Sequence, residues 1–197
     1  MLCLSQGENF LQNSGFESGK DNWIEFIPPE HGGASLSWDV SNKEPHSGTA
    51  SLAMNSTEPA RWCVANKKGF PVEAGQKYRV RAWVRFDQDA TLETQAPAAY
   101  IRCTVSEAAG LDLADPLGHL HVGLNGKVAR NPSVAKLNVP ALPTGWRKIE
   151  AVVTIPPDAT VMGLGLFVQG VTGIIFWDDI SLEPASADTA ASETVEN

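Results

Sequence analysis

The sequence predicts an all-β protein, and three observations carry that prediction. Period-two runs of aromatic and β-branched residues recur along the chain, 13 prolines and 17 glycines punctuate them, and no long run carries the 3.6-residue period of a helix. A chain of 197 residues, 43% hydrophobic and 19% charged, can bury one sizeable core. The expected organisation is a single folded region over 9–184. Residues 1–8 form a disordered start or signal remnant, and the Ala, Ser, Thr and acid tail over 185–197 is a disordered end or linker. A net charge of −8 argues against general binding to nucleic acid or an anionic membrane surface. No run approaches transmembrane length, so no membrane insertion is expected. Three cysteines without a Cys-x-x-Cys spacing are too few for a disulfide scaffold, and Cys63 and Cys103 are expected as buried free thiols more than as a pair.

Taken in order, a short apolar segment at Asn9 leads into a glycine-rich turn, 13–19, that holds Glu17. Residues 23–26 read as a strand, followed by the Pro28-Pro29 break and the Gly32-Gly33 turn. Residues 35–40 then place Leu36, Trp38 and Val40 on one face. A loop at 44–48 gives way to a strand at 49–54, with another at 61–65. Strands and turns at this spacing are the pattern of a sandwich or barrel.

The strongest alternation is 77–86. Tyr78, Val80, Ala82, Val84 and Phe86 form a core face, and Arg79, Arg81, Trp83 and Arg85 form the other. Residues 99–105 repeat it, with Ile101, Cys103 and Val105 against Tyr100, Arg102 and Thr104. If both strands lie in one sheet, their polar faces join into one surface of rings and guanidiniums. Such a surface suits the flat apolar faces and ringed hydroxyls of a sugar. Equally, the arginines could pair with acids on neighbouring strands while the rings fill space.

Residues 108–143 are the least regular, an expected excursion over a rim with one short strand at 117–124. A strand at 145–155 follows. In 161–169, Met162, Leu164, Leu166 and Val168 face the core, while Gly163 and Gly165 leave a groove ending at Phe167 and Gln169. Residues 174–182 close the chain as a strand. Simple alternation puts Asp178 in its apolar row with Phe176, Ile180 and Leu182, where a carboxylate needs a compensating partner.

Five motifs stand in a familiar order: Asn13-Ser-Gly-Phe-Glu17, His46-Ser-Gly-Thr-Ala-Ser-Leu52, Val72-Glu-Ala-Gly-Gln-Lys-Tyr78, Gly145-Trp146 and Trp177-Asp-Asp-Ile-Ser-Leu182. Through them the chain resembles carbohydrate-binding modules of families four, nine and twenty-two, over Asn9 to Pro184 except for 108–143. The resemblance implies a galactose-binding-like β-sandwich jelly roll that binds a polysaccharide or oligosaccharide without catalysis. It also implies secretion or a cell-surface or periplasmic location, and a tethered catalytic domain. It implies a structural calcium held by the Glu17 and Asp178 carboxylates and by carbonyls of Gly15, Glu44 and Ser47, an oxygen set that suits a hard cation. The alternative for Asp178 is hydrogen bonding from amides of the Gly15 turn, and Asp179 is the second choice of ligand. For the sugar, the resemblance and the ring-and-arginine pattern together imply platforms at Trp62, Trp83, Tyr100 and Phe167. Arg85, Arg102 and Gln169 supply hydrogen bonds, and Trp23, Trp38, Trp146 and Trp177 are structural. The number of arginines allows a neutral or an acidic glycan.

Two other classes compete. An enzyme would use His119 and His121 as a metal pair, or two carboxylates as a glycosidase, but Glu93, Glu107, Asp112 and Asp115 lie in loop-like sequence with no fixed separation. A structural or adhesive sandwich that binds protein would keep the fold and lack exposed rings on the concave face.

Overall fold

The computed structural model of the protein describes residues 8–27, 35–107, 117–130 and 134–185. The expectations for 1–7, the Pro28-Pro29 and Gly32-Gly33 breaks, Asp112, Asp115 and 186–197 fall outside them. Among the described residues the elements are β1 (Trp23–Phe26), β2 (Leu36–Ser41), β3 (Ser51–Asn66), β4 (Phe70–Pro71), β5 (Lys77–Phe86), β6 (Thr91–Leu92), β7 (Ala98–Ser106), β8 (Gly118–Gly123), β9 (Val128–Arg130), a 3-10 turn (Ala135–Leu137), β10 (Arg147–Thr154) and β11 (Val161–Pro184).

Every strand pair is antiparallel, and two long strands build both layers of a jelly-roll sandwich. The first half of β11 pairs with the second half of β3 and with β7, and β1, β8 and β9 extend that layer on either side. The second half of β11 pairs with the first half of β3 and with β5, and β2 and β10 complete the other layer. The first will be called the cleft layer and the second the back layer. What read as two strands in 49–65 is thus one, as are 161–169 and 174–182.

The corner of β11 explains why the strand can change layers. Its register slips between Gln169 and Val171 and again before Gly173. Gly170 and Gly173 there hold φ of 72° and 105°, values that favour glycine. A side chain would also collide: a Cβ on Gly170 would stand 2.4 Å from that of Ala96, and one on Gly173 would stand 2.9 Å from the Ala90 backbone.

Between the layers lies one core. It takes the predicted rows Tyr78 to Phe86, Ile101 to Val105 and Met162 to Val168, and it includes Trp23, Trp62 and Trp177. Trp38 packs against its edge. Burial of such side chains is the dominant favourable term in folding.

Two predicted placements change. In β11 a bulge lies between Asp178 and Ser181, with Asp179 at φ 47°. Simple alternation therefore fails: Ile175 and Trp177 face the core before the bulge, Ile180 and Leu182 after it. Phe176 and Asp178 belong to the outer row, opposite Arg85 and Trp83. Residues 117–130 are no rim excursion either, because β8 and β9 form the edge of the cleft layer. Cys63 and Cys103 are free and buried, on opposite faces of that layer. Burial pushes both thiols up to about 12.

Candidate functional site

Directly opposed residues in an antiparallel ladder share a face, so the register assembles the outer face of the cleft layer. One row runs Phe26, Cys63, Phe167, Tyr100; beside it runs Ile24, Ala65, Gly165, Arg102, His121. Arg61 stands opposite Gln169, and Thr104 opposite His119. Sequence reasoning therefore placed Tyr100, Arg102, Phe167 and Gln169 on a common surface, and the structure brings them together with Arg61, His119 and His121.

The two rings are the floor of this face. Tyr100 and Phe167 stack with centroids 5.2 Å apart and planes 12° from parallel. Arg102 lies over Phe167 with its Cζ 4.0 Å from the ring centre, and Arg61 Cζ stands 5.8 Å away. With Cys63, Ala129 and Leu137 the rings form a second small apolar cluster, and both are buried. The expectation of open platforms at Tyr100 and Phe167 is corrected on that ground: guanidiniums and Leu137 cover them. The accessible apolar surface is instead Phe26, 48% exposed, and Ile24, 51% exposed, on the β1 edge. Sequence reasoning missed both, although their alternation in a four-residue strand was visible.

The polar groups are fixed by one another. The Tyr100 hydroxyl donates to Gln169 Oε1 at 3.3 Å, which leaves the Gln169 amide NH₂ for another acceptor. Arg102 Nε donates to His121 Nε2 at 3.2 Å, so that imidazole is neutral with its proton on Nδ1. His119 Nδ1 meets Thr104 Oγ1 at 3.1 Å. Burial first, and the Arg102 charge second, push both imidazoles down to about 4. Burial lowers Arg102 and raises Tyr100 from their ordinary values.

Trp62, Trp83 and Arg85 are elsewhere. Trp62 is fully buried (0% exposed) because it faces Val168 across the interior side of the ladder, one position out of phase with Arg61 and Cys63. It is corrected to a core ring. Trp83 and Arg85 lie on the outer face of the back layer, since β5 pairs with β11 past its corner whereas β7 pairs before it. The joined surface of Trp83, Arg85, Tyr100 and Arg102 therefore does not form. His46 stacks on Trp83 at 3.9 Å, and Trp146 meets His46 edge-on. Arg85 is buried, 3.4 Å from Glu44 and over Phe176.

The predicted metal residues gather at one pole. Asp178, 0% exposed, accepts the amides of His46 (2.8 Å), Ser47 (3.2 Å) and Asp179 (2.7 Å), and not those of the Gly15 turn. Glu17 accepts the Thr49 amide and hydroxyl and the Ala50 amide. The 46–50 loop is thus clasped by acids from the two ends of the chain. Gly48, at φ 61°, makes room, because a Cβ there would stand 2.2 Å from Glu17 Oε1. At Gly15, a Cβ would lie 3.5 Å from Asp178 Oδ1 and 3.9 Å from both Glu17 Cγ and Asp179 Oδ1. Burial, only partly offset by the amides, raises the Asp178 carboxyl to about 6.

This donor set fits a calcium ion. Three donors leave each carboxylate one acceptor position, Asp178 is short of compensating positive charge, and the loop and turn carbonyls are hard oxygen donors. The Glu44 carbonyl already accepts Trp146 Nε1 at 3.2 Å, leaving one lone pair. Among the described residues no cluster of three or more His, Cys, Asp or Glu side chains is gathered for a metal, so main-chain oxygens would have to complete the shell.

Comparison with known proteins agrees with the layer architecture. Residues 8–105 match the family model described as carbohydrate binding domain.

By that match, residues 8–105 belong with the carbohydrate-binding modules of the four and nine type.

Among solved structures, the module is similar to a family-four carbohydrate-binding module (13% identity, TM-score 0.56, covering 88% of this chain and 99% of that one). It is also similar to a family-22 xylan-binding domain from Paenibacillus barcinonensis (16% identity, TM-score 0.55, 87% and 98%). A third likeness is to the enzymatically active domain of a bacteriophage CBA120 tailspike protein (12% identity, TM-score 0.60), of which the module spans 21% while 90% of its own length is covered. At these identities the structures share the fold. No curated protein matches the chain.

Proposed function

We propose that the module holds a saccharide chain, without catalysing its cleavage, across the outer face of the cleft layer. The observation that carries this is the convergence, from four strands, of Arg61, Arg102, Gln169 and His119 above a buried ring pair, with Phe26 exposed at the rim. Gln169 offers its amide and Arg102 its terminal nitrogens to ring hydroxyls, and Phe26 offers an apolar face for stacking. Beyond the Gln169 end, a hollow of about 470 Å³ lined by Glu93, Gln95 and Asn138 among others gives room for a further sugar unit.

Calcium in this reading is a staple that adds positive charge beside Asp178 and ties the 46–50 loop to both chain ends; Glu17 and Asp178 would hold it with carbonyls of Gly15, Glu44 and Ser47. The module acts by keeping an attached catalytic domain near its polysaccharide outside the cell, raising local concentration. Affinity electrophoresis against a polysaccharide panel tests the site: binding should be lost in Gln169→Ala with Arg102→Ala, and should persist in Trp83→Ala. Binding that survives the cleft pair would refute the placement. For the staple, the melting temperature should rise with added calcium and fall with chelator; no response in either direction would remove it.

A further inference from the structure

Arg61 and Arg102 differ from the paired arginines of β5 in having no carboxylate partner among the described residues. We infer that the cleft selects an acidic saccharide, one carrying a carboxylate or sulfate, and that Arg61 and Arg102 are the residues that read its anionic group. This deepens the proposed glycan site and rests on it.

The geometry supplies the reason. Both guanidiniums converge over the same Phe167 ring, half-buried, and among the described residues neither lies within ion-pair distance of a carboxylate. Arg61 Nε is buried and without a hydrogen-bond partner among the described residues. Bringing two like charges together away from water is costly unless an anion joins them. The nearby imidazoles do not help as acceptors of that charge: His121 already takes Arg102 Nε, and His119 takes up Thr104. Arg102 gives its Nε–H to His121 and also bonds the neutral Tyr100 hydroxyl, neither of which supplies negative charge, and its planar fork matches an oxyanion. On a chain of net charge −8, two adjacent cations with no carboxylate partner among the described residues form a local positive patch toward which an acidic polymer would be drawn.

The test uses the full chain in affinity electrophoresis and calorimetry against three groups of probe. These are neutral xylan and galactan, the uronate polymers polygalacturonate and alginate, and a sulfated galactan. The expected result is binding to at least one anionic group, with the uronate and sulfate arms telling which oxyanion fits. Affinity should fall about tenfold or more in Arg61→Gln and in Arg102→Gln, and weaken as sodium chloride is raised. Arg81→Gln on the back layer should bind as the parent does, and unchanged melting of each variant shows that the fold is kept. Binding confined to neutral glycans, or anionic binding indifferent to both arginine variants, overturns this inference while the glycan site stands. Absence of binding to all three groups overturns the proposed function with it.

Discussion

The two outer faces of the sandwich carry nearly the same side chains, arginines set among aromatic rings, yet the chemistry they permit is opposite. On the back layer the three guanidiniums of β5 each have a carboxylate: Arg79 with Glu183 at 3.5 Å, Arg81 with Glu150 at 2.6 Å and Glu183 at 3.6 Å, and Arg85 with Glu44 at 3.4 Å. Its half-buried indole, Trp83, is already capped by His46. On the cleft layer the guanidiniums sit over a ring and beside neutral imidazoles. Residue type is thus no guide to function on a sheet surface. What matters is whether the cross-strand neighbours have already satisfied it.

Substitutions can break or sharpen this contrast. The largest effect should come from Trp62, which the family resemblance grouped with the stacking rings. Trp62→Ala should cost about 3–5 kcal/mol of unfolding free energy, as for a buried aromatic. Trp83→Ala on the back face should cost far less and leave glycan affinity unaltered, both read from denaturant melts and titrations.

Next comes acid. His119 and His121 are held at about 4 in the fold against an ordinary 6.5, so the unfolded chain binds more protons between those values. Their contribution is fully present above about pH 6.5 and is lost as pH falls toward 4. Melting temperature should decline across that window, and less steeply in His121→Gln; a parallel pair of profiles would count against the buried imidazole. Smaller still, Arg102→Met should hold or slightly raise stability, by up to about 1 kcal/mol, since it removes an unpaired half-buried charge. Arg81→Met should lower it by up to about 1 kcal/mol by dissolving a surface ion-pair network. Calorimetric melts of the two give opposite signs if the faces differ as described. Phe26→Ala should leave the melting temperature in place and weaken glycan binding severalfold.

Much of this was legible in the chain. The alternation of Tyr78 to Phe86, Ile101 to Val105 and Met162 to Val168 gave the core faces directly, because a strand has only two sides. The order of short motifs gave the jelly roll and brought Glu17 and Asp178 to one loop. Three things were hidden. That β11 serves two layers depends on glycine corners whose need is set by Ala90 and Ala96, far along the chain, and β3 follows it through their shared ladder. The bulge at Asp179 reverses the two-residue pattern, and only the left-handed backbone reveals it. Which arginines are neutralised is a matter of register between distant strands: Glu150 and Glu183 reach Arg81 from β10 and β11, and nothing local to Arg81 announces them.

The amide of Phe10 donates to the carbonyl of Leu182 at 3.0 Å, and the Asn9 side chain bonds both Ile180 and Leu182. Entry and exit of the folded region are therefore neighbours. Tension applied between them would be borne by that short zip, bypassing the strands that present Arg61 and Arg102. A domain so wired can be pulled at its two ends with the load confined to one short seam, away from the face proposed to hold the ligand.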